Sequence, residues 1–201
     1  MRWERFFDDL EDQLASEREA ERAALDTEAE RLRLARMPLR ERLLALSDRD
    51  ARDRPPVFEF TDGEKVTADV VGVGADWAAF RPRHGRRGVV VARLAAIATI
   101  GVDEADLLRS ARPQAPATRL GERITFGFAL RDLVRRRSAV TVHLATGRML
   151  SGTLDRGGAD HLDIALHEPG AARRTSAVTG HCIVGFGAVA RIHADGEPRV
   201  L

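Results

Sequence analysis

The sequence of 201 residues has few of the residues on which secreted or membrane proteins depend. Cys182 is the only cysteine, which excludes an intrachain disulfide and indicates a reducing compartment. No apolar run approaches the roughly 20 residues that cross a bilayer, and the acidic residues near the start leave no apolar stretch for a signal peptide. These absences predict a cytoplasmic protein with no membrane partner.

Tyrosine and asparagine are absent, and Lys65 is the only lysine. The basic side chains are therefore almost all arginine, a bias that indicates a GC-rich genome at least as strongly as it indicates selection for guanidinium chemistry. The formal net charge is only +1. Composition alone therefore does not predict attraction to nucleic acid or to a membrane surface, and any such binding depends on local clusters.

The chain contains an internal repeat, which relates residues 57–100 to residues 141–192. A shift of 84 positions keeps the apolar residues in step through most of the repeat, and a shift of 92 does so near its end. The aligned pairs are Phe58 and Val142, Phe60 and Leu144, Val66 and Leu150, Val70 and Leu154, Phe80 and Ile164, then Val91 and Ile183, Leu94 and Phe186, Ile97 and Val189, Ile100 and Ile192.

Apolar and polar residues alternate over short segments of both copies, which predicts strands with one buried face. Each copy should place its apolar residues in one core: Phe60, Val66, Val70 and Phe80 in the first, and Leu144, Leu150, Leu154 and Ile164 in the second. Turns are predicted at Gly63, Gly74 and Asp76, and at the aligned Gly147, Gly158 and Asp160. Five short strands with one helical turn before the fifth describe a small, strongly bent barrel.

Residues 3–36 lack glycine and proline and are rich in helix-forming residues, which predicts one long charged helix. Its conspicuous apolar anchors are Trp3, Phe6, Phe7 and Leu10. Two interpretations remain open: a solvated helix docked at one end, or a coiled-coil arm that binds a second copy or a partner protein. Further helices are predicted over residues 39–47 and 120–137, one before each copy of the repeat.

The predicted fold class is α+β: a long N-terminal helix followed by two tandem five-stranded small β-barrels, each preceded by a helix. The expected boundaries are the arm at 1–36, a short helix and linker at 37–56, the first barrel at 57–102, a linker at 103–118, the central helix at 119–137, the second barrel at 138–196 and a tail at 197–201.

This arrangement resembles the Sm-like small barrel in tandem, with the SH3-like barrel as the close alternative. The resemblance rests on Gly63, Gly74 and Asp76 in one copy, and on Gly147, Gly152, Gly158 and Asp160 in the other. Sm-type RNA sites have an Asp followed shortly by Asn. Because this chain has no Asn, the resemblance implies the fold and does not imply uridine binding.

A second resemblance is to a group of uncharacterised proteins from GC-rich bacteria, some of them labelled Fis-type transcriptional regulators. It rests on the opening Met-Arg-Trp-Glu, on the helix before the second copy, and on residues 152–160. The C-terminal region, where the second copy lies, does not show the pair of helices expected of a helix-turn-helix regulator.

No catalytic or metal motif is evident. Five histidines fall in the second copy without a recognised ligand spacing and are predicted to be surface residues: His143, His161, His167, His181 and His193. Residues 185–190 mimic a dinucleotide fingerprint but lack the helix and the acidic residue that should follow. We therefore expect no enzyme activity, no cofactor and no metal.

Two arginine clusters are the candidate sites for contact with the nucleic-acid backbone: Arg81, Arg83, Arg86 and Arg87 in a loop, and Arg135, Arg136 and Arg137 at the end of the central helix. Trp77 is a candidate stacking face, with packing of its ring on the barrel as the alternative. The first functional hypothesis is a non-catalytic binding protein that contacts nucleic acid through these arginines. The alternative is an interaction or oligomerisation scaffold that uses the helical arm and the barrel edges.

Overall fold

The computed structural model describes residues 2–48, 54–112, 123–169 and 175–195, with side chains from residue 13 onward except at 15 and 175. The chain divides into two compact units, Met1–Pro38 and Leu39–Leu201. The fold is α+β, with four α-helices and ten β-strands among the described residues. None of these helices is both long enough and apolar enough to cross a membrane.

The first unit is a single helix, α1 (Arg2–Arg36), one residue longer at its start than predicted. Its described side chains are almost all exposed, including Leu25. Arg33 and Glu30 form an ion pair one turn apart, with Nε of Arg33 2.7 Å from Oε2 of Glu30. The predicted anchors at residues 3, 6, 7 and 10 lie outside the described side chains.

The second unit contains three helices and all of the strands. The helices are α2 (Leu39–Ser47), α3 (Glu104–Ser110) and α4 (Phe126–Arg136). The strands are β1 (Val57–Phe60), β2 (Lys65–Val73), β3 (Trp77–Pro82), β4 (Val89–Arg93), β5 (Ile97–Gly101), β6 (Ala139–Leu144), β7 (Met149–Gly157), β8 (His161–Leu166), β9 (Gly180–Gly185) and β10 (Val189–Ala194). Short 3₁₀ turns precede β5 at Leu94–Ala96, β9 at Thr175–Ala177 and β10 at Phe186–Ala188.

All ten strands belong to one open antiparallel sheet in the order β5-β1-β2-β3-β4-β10-β6-β7-β8-β9. We call β1–β5 the first strand set and β6–β10 the second. The two sets are joined where β4 pairs with β10, with Val91 opposite Ile192 and Val90 opposite His193. The prediction of two separate barrels did not include this pairing, which leaves β5 and β9 as the only edge strands of the described sheet.

The two strand sets share a pattern of backbone hydrogen bonds at aligned positions. The amides of Gly63 and Gly147 donate across the first hairpin of each set, at 2.8 and 2.9 Å. Three further amide-to-carbonyl hydrogen bonds of the first set have a counterpart in the second set at shifts of 84 and 92. Gly74 to Trp77 corresponds to Gly158 to His161, Thr61 to Ala96 corresponds to Ala145 to Ala188, and Leu94 to Asp76 corresponds to Phe186 to Asp160. The chain therefore follows the same path through the turns of both sets.

The apolar side chains form two cores, and the predicted core residues are in them. Phe60, Val70 and Phe80 are buried in the first core, with Val66 packed against it. Leu150, Leu154 and Ile164 are buried in the second, with Leu144 packed against it. The first strand set also contributes to the second core, through Trp77, Ala79, Val89 and Val91. Strands β3 and β4 are therefore buried on both faces.

Two helices differ from the prediction. The central helix α4 begins at Phe126 rather than at residue 120, and Ile124 lies before it; residues 120–122 are outside the described chain. Within the predicted linker at 103–118, the structure has helix α3, whose N-cap Asp103 accepts a hydrogen bond from the Asp106 amide at 2.8 Å. Asp is a preferred N-cap residue, so Asp103 was the sequence signal from which helix α3 could have been predicted.

The predicted turn glycines have two different physical roles. Gly63 and Gly147 have φ angles of 82° and 83°, which side chains other than glycine adopt with strain. Gly74 does not have a positive φ; instead, a Cβ there would collide with the Trp77 indole and with the Ile124 carbonyl. Glycine at position 74 therefore permits the close packing of Trp77.

Candidate functional site

The junction of the two strand sets is held by more than one kind of contact. Besides the pairing of β4 with β10, the turn between β2 and β3 docks on the start of α4. The Phe126 amide donates to Oδ1 of Asp76 at 2.7 Å, so a residue of the first set stabilises the N-terminus of the helix that precedes the second set. The Ala75 amide also donates to the Ile124 carbonyl, at 2.9 Å.

Trp77 is an anchor of this junction and is not a stacking face. It is 2% exposed and belongs to the second core. Its indole Nε1–H donates to the Ile124 carbonyl at 2.8 Å. Sequence reasoning could not choose between a stacking role and a packing role because Ile124, whose carbonyl binds the indole, lies 47 residues later in the chain.

A polar layer crosses the junction beside the apolar one. Arg86 donates from Nη1 to Oγ1 of Thr141 at 3.1 Å and forms a short ion pair with Asp195 through Nη2. Arg191 donates from Nε to Oδ2 of Asp62 at 3.0 Å, and both of these side chains are nearly buried. Each pair links one strand set to the other, across separations of 109 and 129 residues.

A groove of about 450 Å³ lies along this polar layer. Its lining combines cationic and imidazole side chains with a hydroxyl: Lys65, His84, Arg86, Thr141, His143, Arg191 and His193. Glu64, Val66, Pro82, Val90 and Met149 complete the lining. Among the polar lining residues, sequence analysis had proposed Arg86 as a nucleic-acid contact and had predicted His143 and His193 to be surface residues.

Two histidines predicted to be surface residues are instead largely buried in the groove. His143 is partly buried, and burial, followed by the nearby Arg191 guanidinium, lowers its pKa to about 4. His193 is 7% exposed, and burial lowers its pKa as well. Both imidazoles are therefore neutral at pH 7.

The hydrogen bonding of His193 is incomplete. Neither ring nitrogen has a hydrogen-bond partner among the described residues. The Asp195 carboxylate lies 3.8 Å from Nδ1, too far for a hydrogen bond. His167, also predicted on the surface, is buried but fully bonded, with Nε2 2.9 Å from Oγ1 of Thr153 and Nδ1 3.0 Å from the Glu168 carbonyl.

The structure distributes the four loop arginines among different environments. Arg83 donates to Oδ1 of Asp69 at 2.8 Å, and this carboxylate raises the pKa of the guanidinium. Arg86 is bound to Asp195 at the junction. Arg81 and Arg87 are exposed. The acids that pair with Arg83 and Arg86 come from β2 and from the end of β10, so they were not visible in the loop sequence.

The arginines at the end of α4 also have an acidic neighbour. Arg135 and Arg136 both pair with Asp132, a buried residue one turn earlier; Nε of Arg136 is 2.8 Å from Oδ2 of Asp132. Arg137 caps the helix in the left-handed conformation, with φ 50°. Asp132 therefore offsets one of the three positive charges of this cluster.

The edge strands differ sharply from their aligned counterparts inside the sheet. On β9, Ile183 is 78% exposed, whereas the aligned Val91 on β4 is 3% exposed because β10 covers it. On β5, Ala98, Thr99 and Gly101 are exposed, whereas every residue of β10 is buried. Beside β5, a smaller groove of about 180 Å³ lies between α2 and α3, lined mainly by apolar residues.

The turn before β8 is also more exposed than the aligned turn before β3. Asp160 and His161 align with Asp76 and Trp77, but their side chains are 90% and 45% exposed. Oδ1 of Asp160 is 2.9 Å from Nδ1 of His161, and this hydrogen bond holds the pKa of the carboxyl below its usual value. The side chain of Asp76 is hydrogen-bonded to the start of α4, whereas the side chains of Asp160 and His161 form no hydrogen bond to a helix among the described residues.

Among the described residues, no group of three or more His, Cys, Asp or Glu side chains is arranged to hold a metal ion. Asp76 and Asp160 have the turn positions predicted for them, and Asp76 in addition caps α4. Comparison with protein-family models, with curated proteins and with solved structures gives no match to this chain.

Proposed function

We propose that this protein is a non-catalytic assembly scaffold in which two Sm-like small barrels are fused at the junction, and that copies of the chain associate head to tail through β9 and β5. One observation carries the proposal: β4 and β10 pair with each other inside the chain, while the strands aligned with them, β9 and β5, lie at the two ends of the described sheet and have one free edge each. Unpaired edges of this kind bind additional strands.

The internal junction gives the register of the proposed contact. Val91 lies opposite Ile192, and Val90 lies opposite His193. Transferring these pairs by the shift of 92 positions places Ile183 of one copy opposite Ile100 of the next, and Cys182 opposite Gly101. The contact covers Ile183, the most exposed large apolar side chain in the described chain.

The helices support the same arrangement. Leu43 and Leu46 of α2 are buried with the spacing of Leu130 and Leu133 of α4, which aligns the start of α2 at Leu39 with the start of α4 at Phe126. Asp76 caps Phe126 inside the chain. At the aligned position, Asp160 of one copy would accept a hydrogen bond from the Leu39 amide of the next.

The proposed contact is more polar than the internal junction. Ala79 and Ala129 both pack in the junction core. The aligned positions hold Asp163 in the second strand set and Arg42 in α2. The contact would thus contain an acid of one copy and a base of the next, although Arg42 also donates to the Leu107 carbonyl of its own chain at 2.9 Å. Attraction between the two charges would favour the association and make it weaker at high salt.

A contact between two different surfaces does not saturate in a dimer. Each added copy presents a free β9 edge and a free β5 edge, so association continues until the rotation between copies closes a ring or extends a filament. The arm α1 is not needed for this mode, which separates it from the coiled-coil interpretation of residues 3–36.

Sedimentation velocity over a range of protein concentrations tests the proposal. The parent protein should form species larger than a dimer, and Ile183→Asp should weaken the association at least about 100-fold because a carboxylate would be buried against the next copy. Phe128→Asp is the matched control, since Phe128 is an exposed apolar residue on α4. A parent that stays monomeric, or an Ile183→Asp variant that associates like the parent, contradicts head-to-tail assembly.

Contact with a nucleic-acid backbone is the second candidate function, favoured by Arg87 and Arg137, which are exposed with no acidic partner in the described residues. Such binding would be indifferent to sequence and strongest at low salt. Replacing both arginines with Ser should reduce the slope of log K against log salt by about two units. No binding by the parent at roughly 50 mM salt would eliminate this candidate.

A further inference from the structure

We propose that the groove at the junction is a binding site for a small phosphate-bearing ligand, held by Arg191 and His193. This site is separate from the sheet edges and does not depend on the proposed assembly. Its volume of about 450 Å³ is in the range of sites that enclose a small molecule.

Arg191 supplies the buried positive charge. It is 9% exposed, and the carboxylate of Asp62 fixes its Nε. No other hydrogen bond of Arg191 is formed within the described residues, so Nη1 and Nη2 keep their donors for a ligand. A guanidinium held on one side and unbonded on the other is suited to two-point binding of a phosphate.

His193 supplies the second observation. A buried polar group without a hydrogen bond reduces stability, and such groups in native proteins usually have a partner or a function. Both ring nitrogens of His193 are buried and unbonded in the structure, and the side chain lines the groove. If the ring rotates so that one nitrogen faces the groove, a ligand oxygen can accept the imidazole N–H and remove this cost.

A phosphate suits the donors better than a carboxylate does. Lys65 lies on β2, while Arg191 and His193 lie on β10, so the donors approach from different strands. The three peripheral oxygens of a phosphate monoester can accept from all three residues, whereas a carboxylate has only two oxygens.

The acids around the groove argue for a small ligand rather than a polymer. Glu64 is part of the lining, and Asp62 and Asp195 are bound to the two arginines. Together with Glu59, whose Oε2 lies 3.9 Å from Nζ of Lys65, these carboxylates more than balance the charges of Lys65, Arg86 and Arg191. A single phosphate can reach the unbonded guanidinium edge, whereas a strand of many phosphates would also run past the acids.

Thermal unfolding with and without ligand tests the site, with inorganic phosphate, adenosine 5′-monophosphate and a ten-nucleotide DNA strand as the three probes. Phosphate and the nucleotide should raise the melting temperature of the parent. His193→Phe removes an unbonded polar group, so it should fold at least as stably as the parent but bind both small probes at least about tenfold more weakly. His181→Phe is the matched control, because His181 is exposed and does not line the groove.

Imidazole NMR signals keep the proposal testable if His193→Phe does not fold. In the parent, phosphate should shift the signals of His193 and His143 and leave that of His181 unchanged. The proposal is overturned if neither small probe stabilises the parent, if His193→Phe responds like the parent, or if only the DNA strand binds.

Discussion

At the residue scale, alternate side chains of β3 and β4 belong to different cores. Ala78, Phe80 and Val90 face the first core, whereas Ala79 and Val91 face the second. The same apolar residue types therefore serve the interior of one strand set and its contact with the other. Leu154, by contrast, belongs wholly to the second core, where it is 1% exposed.

Leu154→Asp should reduce the free energy of unfolding by several kcal/mol, because it buries an unpaired carboxylate in a close-packed core. Urea titration of the variant and of the parent measures the difference. Met149→Asp provides the control, since Met149 is exposed near the start of the same strand. Equal midpoints for Leu154→Asp and the parent would show that this face of β7 is not in the core.

His143 should make the protein less stable in mild acid. Burial, and then Arg191, lowers the pKa of its imidazole to about 4 in the folded state, below the value of about 6.5 in an unfolded chain. Folding therefore favours the neutral form: the contribution is fully present above pH ~6.5 and is lost as the pH falls toward 4.

Between pH 7 and pH 5, the parent should lose about 2 kcal/mol more unfolding free energy than His143→Gln, in which position 143 does not titrate. Denaturant titrations of both proteins at the two pH values measure this difference, and contributions shared by the two proteins cancel. An identical loss in both proteins would mean that the His143 imidazole titrates normally in the fold.

At the element scale, two turns with aligned sequences have different surroundings. Asp76 caps α4, whereas the side chain of Asp160 is 90% exposed. Asp76→Ala should therefore lower the free energy of unfolding by about 1 kcal/mol, the usual effect of losing an N-cap. Asp160→Ala should leave that free energy unchanged but weaken the association of copies, because Asp160 would cap α2 of the next chain.

Chemical denaturation of dilute samples and sedimentation of concentrated samples separate the two effects. If Asp160→Ala associates as strongly as the parent, then Asp160 has no part in the contact. If Asp76→Ala is as stable as the parent, the bond to Phe126 has no net effect on folding.

The elements that sequence predicts well are those with local signals. Helix α2 has the predicted bounds, and the turns at Gly63 and Gly147 follow from a local need for positive φ. The start of α4 was misplaced because its N-cap residue, Thr125, forms no capping hydrogen bond, and the Phe126 amide is instead bonded by Asp76, 50 residues earlier. The candidate groove was also missed, since Arg191 meets Asp62 across 129 residues and no local spacing reports such a pair.

At the scale of the whole molecule, the pairing of β4 with β10 makes one sheet from the two strand sets. The sequence repeat predicts two similar modules but does not predict how they pack together. Because β3 and β4 have apolar residues on both faces, the sequence does not distinguish the face that contacts the other strand set from the face in the core of its own set. Once that contact is known, alignment identifies β9 and β5 as the equivalent strands, and each of them has one free edge.

Mixing two edge variants tests head-to-tail assembly most directly. Ile183→Asp blocks β9 and leaves β5 free, whereas Ala98→Asp blocks β5, where Ala98 is exposed, and leaves β9 free. Each variant should be a monomer alone, and the equimolar mixture should form a 1:1 dimer and nothing larger, as measured by light scattering on a sizing column. If either variant alone associates like the parent, or if the mixture stays monomeric, the edges are not the contact.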